Sequence, residues 1–199
     1  MTWALAPLCI LGVERSGYPI YINIEQSKTS PEGNTLEQAA LNRAFASSQR
    51  LTRNIVKVGA IKIVQLNGKN TNKLGVQEHV LKEAGRSYTV TVTSIERTLV
   101  DIATRPVHVG GPSIVLECFR KAAGKVNVEQ LVQTLADINH IYPYHQAIGF
   151  YMEKSGAYSR EEMALLRKVP IELEFFLDYA MQEKTLCKEW KIWVPDNLK

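Results

Sequence analysis

The chain has 199 residues, enough for one domain with a sizeable core, and its 45% apolar and 22% charged residues are ordinary for a globular protein. No apolar run approaches bilayer-spanning length, and Met1 is not followed by the basic and apolar regions of a secretory signal, which points to a cytoplasmic protein. The net charge is only +4, but it is unevenly spread.

In chain order, Thr2 to Leu11 reads as a short apolar helix ended by Gly12, with Pro7 compromising its first turns. Ile20 to Ile24 (IYINI) follows as a strand, and the polar run Ser27 to Asn34, with its Pro and Gly, as a loop. Thr35 with Gln38 offers a capping box for a helix from Leu36 to about Gln49 that buries Leu41, Ala44 and Phe45. Ile55–Val58 and Ile61–Leu66, broken at Gly59-Ala60, predict a tight hairpin. Asn67 to Lys73 (NGKNTNK) is turn-rich, with Asn-Gly its strongest turn signal. Its amides and lysines suit a phosphate, but the spacing matches no P-loop, so a connector before Gly75 is preferred.

Between Glu37 and Glu78 there is no acidic residue, while Arg43, Arg50, Arg53, Lys57, Lys62, Lys69 and Lys73 all fall there. Residues 38–77 therefore carry +7, leaving a net acidic remainder. Such a block reads as a basic surface facing nucleic acid or an acidic partner, or as a solvated face whose acidic neighbours come from elsewhere in the fold.

The stretch from Tyr88 to Gly124 organises the rest. Tyr88, Val90 and Val92 alternate with threonines on a half-buried strand. Ser94 then caps a helix that buries Ile95, Leu99, Ile102 and Ala103, with Arg97 and Asp101 four apart on its wet side. Arg97 reads as tied to Asp101 and packed over the turn rather than presented to a partner. Pro106 stops that helix, and Pro112, after Gly110-Gly111, starts another. Ile114, Val115, Cys118, Phe119 and Ala122 form its inner stripe, and Gly124 follows its C-terminus. Asn127 with Gln130, and Val126 with Leu131, open a further helix that buries Leu131, Leu135 and Ile138. A helix from Pro143 to Gly156 turns Ala147, Ile148, Tyr151 and Met152 inward. Ser159 with Glu162 caps one that buries Met163 and Leu166 and stops before Pro170. Alternation over Ile171–Leu177 and again over Trp190, Ile192 and Val194 predicts two strands that pair.

Catalytic signatures are few. The histidines are His79, His108, His140 and His145, and there is no His-Glu-x-x-His, Cys-x-x-Cys, Walker A, dinucleotide fingerprint or Gly-x-Ser-x-Gly elbow. Cys9, Cys118 and Cys187 are far apart, which suits a reducing compartment, with Cys118 in the core. Glu172 and Glu174 share a strand face and are the one pair that suits a metal-dependent nuclease, although solvated strand edges give the same spacing. Tyr142, Tyr144 and His145 at a helix start suit either base stacking or packing against the preceding helix, and packing is preferred.

The run S-I-E-R-T-L-V-D-I, then R-P, G-G and an amphipathic helix, resembles the AbiEi family, antitoxins of type IV toxin–antitoxin and abortive-infection systems. TWALAPLCILG, YPIYIN, LNGKNTNKLGV and YPYHQAIGFYMEKSG agree with it, so the resemblance covers nearly the whole chain. It implies a C-terminal domain that counters a nucleotidyltransferase-type toxin by opposing its effect rather than binding it tightly. Family members join that domain to an N-terminal winged helix that represses their own promoter. No winged-helix segment precedes Thr2, so the chain corresponds to the C-terminal domain alone, one domain over 1–199, and the matched motifs carry no catalytic residue. The expected fold class is α+β, a small mixed sheet flanked by several helices, with no cofactor or metal and no catalytic activity. The expected function is an antitoxin module. The alternatives are a nucleic-acid-binding regulator acting through the basic segment, and a nuclease-like enzyme.

Overall fold

Six strands build the larger of two mixed sheets in the computed structural model, which describes residues 2–4, 19–26, 36–83 and 85–199. They are β1 (Thr2–Ala4), β2 (Ile20–Glu25), β3 (Ile55–Val58), β4 (Ile61–Gly68), β5 (Val76–Glu83) and β6 (Arg86–Thr93), in the order β3-β4-β2-β1-β6-β5. The hairpins β3–β4 and β5–β6 are antiparallel, whereas β2–β4 and β1–β6 are parallel. Four of these strands, β2, β3, β4 and β6, fall where strands were expected from sequence. Two do not. Thr2–Ala4 is strand rather than the start of a helix, and the rest of that expected helix, with its Gly12 stop, lies outside the described residues, as does the Ser27–Asn34 loop. β5 has no two-residue period, because Val80 and Leu81 are adjacent, and it is held by register with β6 rather than by a buried face.

Six α-helices are described: α1 (Gln38–Ala46), α2 (Ile95–Thr104), α3 (Pro112–Ala122), α4 (Val128–Ile138), α5 (Tyr144–Ser155) and α6 (Arg160–Arg167). A 3-10 turn over Pro106–Val109 joins α2 to α3, as the two prolines and two glycines require. The core lies among these helices, with Leu99, Val115, Phe119, Leu131, Ile148, Tyr151 and Leu166 buried. The second sheet closes its far side. In it β7 (Phe175–Phe176) and β8 (Lys184–Cys187) flank β9 (Ile192–Pro195), and the two segments expected to pair do so, in parallel. The Ile171–Leu177 strand is much shorter than its alternation implies. Phe175 and Leu177 are buried, but only Phe175–Phe176 is strand, so burial rather than a ladder sets the period. The α+β class stands, with two mixed sheets in place of a single small one.

Helix starts show which local signals the fold uses. The Ser94 hydroxyl accepts the Arg97 amide at 3.2 Å, and the Ser159–Glu162 capping box forms in both directions. At α4 the Asn127 side chain accepts the Gln130 amide, but the Asn127 amide goes to Glu96 of α2 at 3.0 Å, so a neighbouring helix completes the cap. α1 is shorter than expected. It starts at Gln38 with Glu37 at the cap and no side-chain bond there, and Thr35 lies outside the described residues. Gln38 instead reaches across the molecule, donating to the Glu174 carbonyl and accepting the Glu174 amide, both at 2.8 Å.

Candidate functional site

The polar centre of the structure is Arg97, at the start of α2. Arg97 is 5% exposed, not on a wet face, because the β4–β5 connection folds over it. Its Nε donates to Asp101 at 2.9 Å, and Nη1 donates to the Thr71 hydroxyl at 3.0 Å and the Leu74 carbonyl at 2.7 Å. The Thr71 hydroxyl in turn donates to Glu25 on β2. One guanidinium thus ties β2, the β4–β5 connection and α2 together. The pairing with Asp101 is the one expected; the solvent exposure is not.

The connection itself departs from its strongest sequence signal. Asn67-Gly68 ends β4, with Gly68 paired to Glu25, and the turn falls later, at Asn72, Lys73 and Gly75, all with positive φ. Gly75 is required twice: at φ +67°, and because a Cβ there would lie 2.7 Å from Cβ of Arg97.

Charge follows geometry. Burial would raise the Glu25 carboxyl, but the Thr71 hydroxyl, the Lys73 and Thr71 amides and the Arg97 charge hold it below the usual range. For Asp101 burial wins over Arg97, and its carboxyl titrates above the usual range. His140 lies near this junction, edge-on to Tyr144 at 5.1 Å. Burial first, then the charges of Lys69, Arg97 and Arg105, lower it to about 4. His145 is lowered by burial as well, against a hydrogen bond to the Pro170 carbonyl.

The basic residues are spread over several elements. Lys69 is drawn to a helix end: its Nζ donates to the Ile138 and Asn139 carbonyls at 2.8 and 2.7 Å, capping the negative end of α4. Lys73 stands exposed in the turn beside Glu25, which accepts its amide. Arg43 is exposed on α1, and Arg50 and Arg53 are exposed in the segment entering β3. Lys57 and Lys62 are direct cross-strand partners on the β3–β4 hairpin, both exposed. Like charges set opposite each other destabilise a hairpin unless an anion lies across them.

Most of the remaining candidates have structural partners. The Glu174 carboxylate accepts from Trp193 Nε1 at 2.9 Å, and Glu172 is exposed. Among the described residues no group of three or more His, Cys, Asp or Glu could hold a metal. Tyr142 and Tyr144 pack into an aromatic cluster with Phe45, Phe175, Phe176 and Tyr179, so they join α5 to α1 and the second sheet rather than only to α4. Gln146 on α5 was not singled out from sequence, yet its Nε2 is positioned to donate to the Leu173, Trp190 and Lys191 carbonyls at 3.0, 2.7 and 3.1 Å. Gly149, three residues on, lets the Trp190 ring lie directly against the helix. Its only sequence signal is a glycine in the middle of a helical pattern.

No protein family, curated protein or solved structure matches this chain. Among the described residues no helix is long and apolar enough to cross a membrane.

Proposed function

We propose that this chain is a cytoplasmic antitoxin-type regulatory module, of the AbiEi kind, that opposes the effect of a nucleotidyltransferase-type toxin without binding it tightly and without catalysis of its own. One observation carries the reading: three of the runs that bear the resemblance meet at one junction, where Asn23 of YPIYIN also pairs with Leu66 of LNGKNTNKLGV. Arg97 of SIERTLVDI bonds Thr71 and Leu74 of LNGKNTNKLGV. Thr71 bonds Glu25, two residues beyond YPIYIN. The fourth run, YPYHQAIGFYMEKSG, stands apart from that junction, its Gln146 bonding the Trp190 carbonyl beside the second sheet. A signature whose polar members hold each other marks a fold rather than a reaction, which supports reading the resemblance as shared architecture and the role as regulatory. Co-expression with a nucleotidyltransferase-type toxin tests it: growth should resume when this chain is present. Growth that stays arrested while the folded chain accumulates defeats the reading.

A second reading, nucleic-acid binding, has its own support in the facing Lys57 and Lys62, with Arg50 and Arg53 at the base of the same hairpin. Binding through these exposed side chains would contact phosphates rather than base edges and so be weak and sequence-tolerant, with log affinity falling by roughly 0.9 per phosphate contact per log unit of salt on duplex DNA. A Lys57→Glu/Lys62→Glu variant that shifts duplex DNA as well as the wild type would remove that reading.

A further inference from the structure

β5 is an outer strand of the larger sheet. Residues 77–82 of β5 and 86–89 of β6 are exposed, so the two strands extend beyond the helices as an arm that is wet on both faces. A lone two-stranded ribbon is marginal in water, and this one displays Val80 at 54%, Leu81 at 42% and Tyr88 at 47% exposure. The ladder fixes which main-chain groups are spare. The Ser94 amide donates to the Gly75 carbonyl at 2.7 Å, so by the antiparallel alternation Gln77, His79 and Leu81 turn their main-chain groups toward β6. Glu78, Val80 and Lys82 turn theirs outward. Neither Glu78 nor Lys82 has an ion-pair partner among the described residues.

We propose that β5 pairs antiparallel with β5 of a second copy of this chain about a two-fold axis at Val80, joining the two larger sheets edge to edge. The strand is self-complementary in that register. Glu78 of each copy faces Lys82 of the other, Val80 faces its own counterpart, and each of these residues gives and accepts one main-chain hydrogen bond. On the opposite face His79 meets Leu81 of the second copy, extending the apolar pair that Leu81 makes with Tyr88. A slip of two residues sets Glu78 against Val80 and loses both ion pairs. The other edge, β3, has no such symmetry. The Gln65 amide donates to the Asn54 carbonyl, which leaves Ile55 and Lys57 facing outward, and β3 has no acidic residue to answer that lysine. An inward or central lysine on an edge strand discourages pairing.

Sedimentation equilibrium on the full chain tests the proposal. The wild type should show a concentration-dependent dimer. Glu78→Lys alone and Lys82→Glu alone should each weaken it about tenfold, because both cross-strand pairs become like-charged. An equimolar mixture of the two variants should recover wild-type affinity as a heterodimer, since every reversed position then meets an opposite charge. Val80→Pro removes only an outward amide, so circular dichroism should stay native while the dimer is lost. A monomer at all concentrations, single variants that dimerise like the wild type, or a mixture no tighter than its components would overturn the proposal. So would a dimer abolished by Lys57→Glu but not by Glu78→Lys, which would place it on β3.

Discussion

Replacing Arg97 with Met tests whether the guanidinium holds the structure together. Met keeps the stem that packs against Gly75 and removes three donations, to Asp101, Thr71 and Leu74. Hydrogen bonds to charged groups contribute about 1.5–3 kcal/mol each, but these share one side chain and do not add. Breaking a fully buried pair costs about 3–5 kcal/mol. Here the Arg97 side chain is 7% exposed and Asp101 is 29%, so the stranded carboxylate regains some water. A loss of about 3 kcal/mol is expected. Urea unfolding at pH 7 should show a lower midpoint with an unchanged slope. Without the arginine, the Asp101 carboxyl should also titrate higher still. A change below about 0.5 kcal/mol, typical of a surface site, would refute the role assigned to Arg97.

Leu99→Ala and Phe119→Ala remove wholly buried side chains and should each cost about 2–5 kcal/mol; either variant melting like the wild type contradicts their place in the core. Gly149→Ala gains up to about 1 kcal/mol of helix propensity, but the new Cβ would sit 2.2 Å from the Trp190 ring, which is buried and anchored through Nε1 to Glu153. Overpacking of this kind costs about 1–3 kcal/mol, so the melting temperature should fall, and a rise would show that the ring moves freely. His140 refuses its proton down to about pH 4 in the fold, whereas its ordinary value is 6.5. The unfolded chain takes up that proton first, so stability should drop as pH falls from about 6.5 to about 4, by up to about 2 kcal/mol at pH 5. His145 acts in the same direction and Asp101 in the opposite one, so the comparison is with His140→Asn, whose pH profile should be flatter between 6.5 and 5. Identical profiles would contradict a buried, neutral His140.

Helix boundaries were legible because local chemistry decides them. Ser94, Asn127 and Ser159 cap from side chains within three residues, and Pro106, Pro112, Gly124 and Gly156 punctuate through their own backbones. What the sequence hid is set by distant partners. β5 exists because β6 pairs with it, and α1 starts where Gln38 finds Glu174, 136 residues away. Asn67-Gly68 is a good turn pair in isolation, but β2 lies alongside and extends β4 through it. Seven basic residues between positions 43 and 73 read either as one basic surface or as a solvated face. In space Lys69 is drawn off to a helix end and Lys57 and Lys62 to a hairpin. Arg97 was legible as Asp101's partner, but its burial depends on a connection whose Leu74 lies 23 residues earlier.

Survival of cells expressing a nucleotidyltransferase-type toxin measures the proposed function most directly. The wild-type chain and the Lys57→Glu/Lys62→Glu variant should restore colony formation equally, because the hairpin lysines belong to the nucleic-acid reading alone. Arg97→Met should restore it only in proportion to the folded protein that accumulates. Cells that form no colonies despite wild-type amounts of folded chain would contradict an antitoxin role.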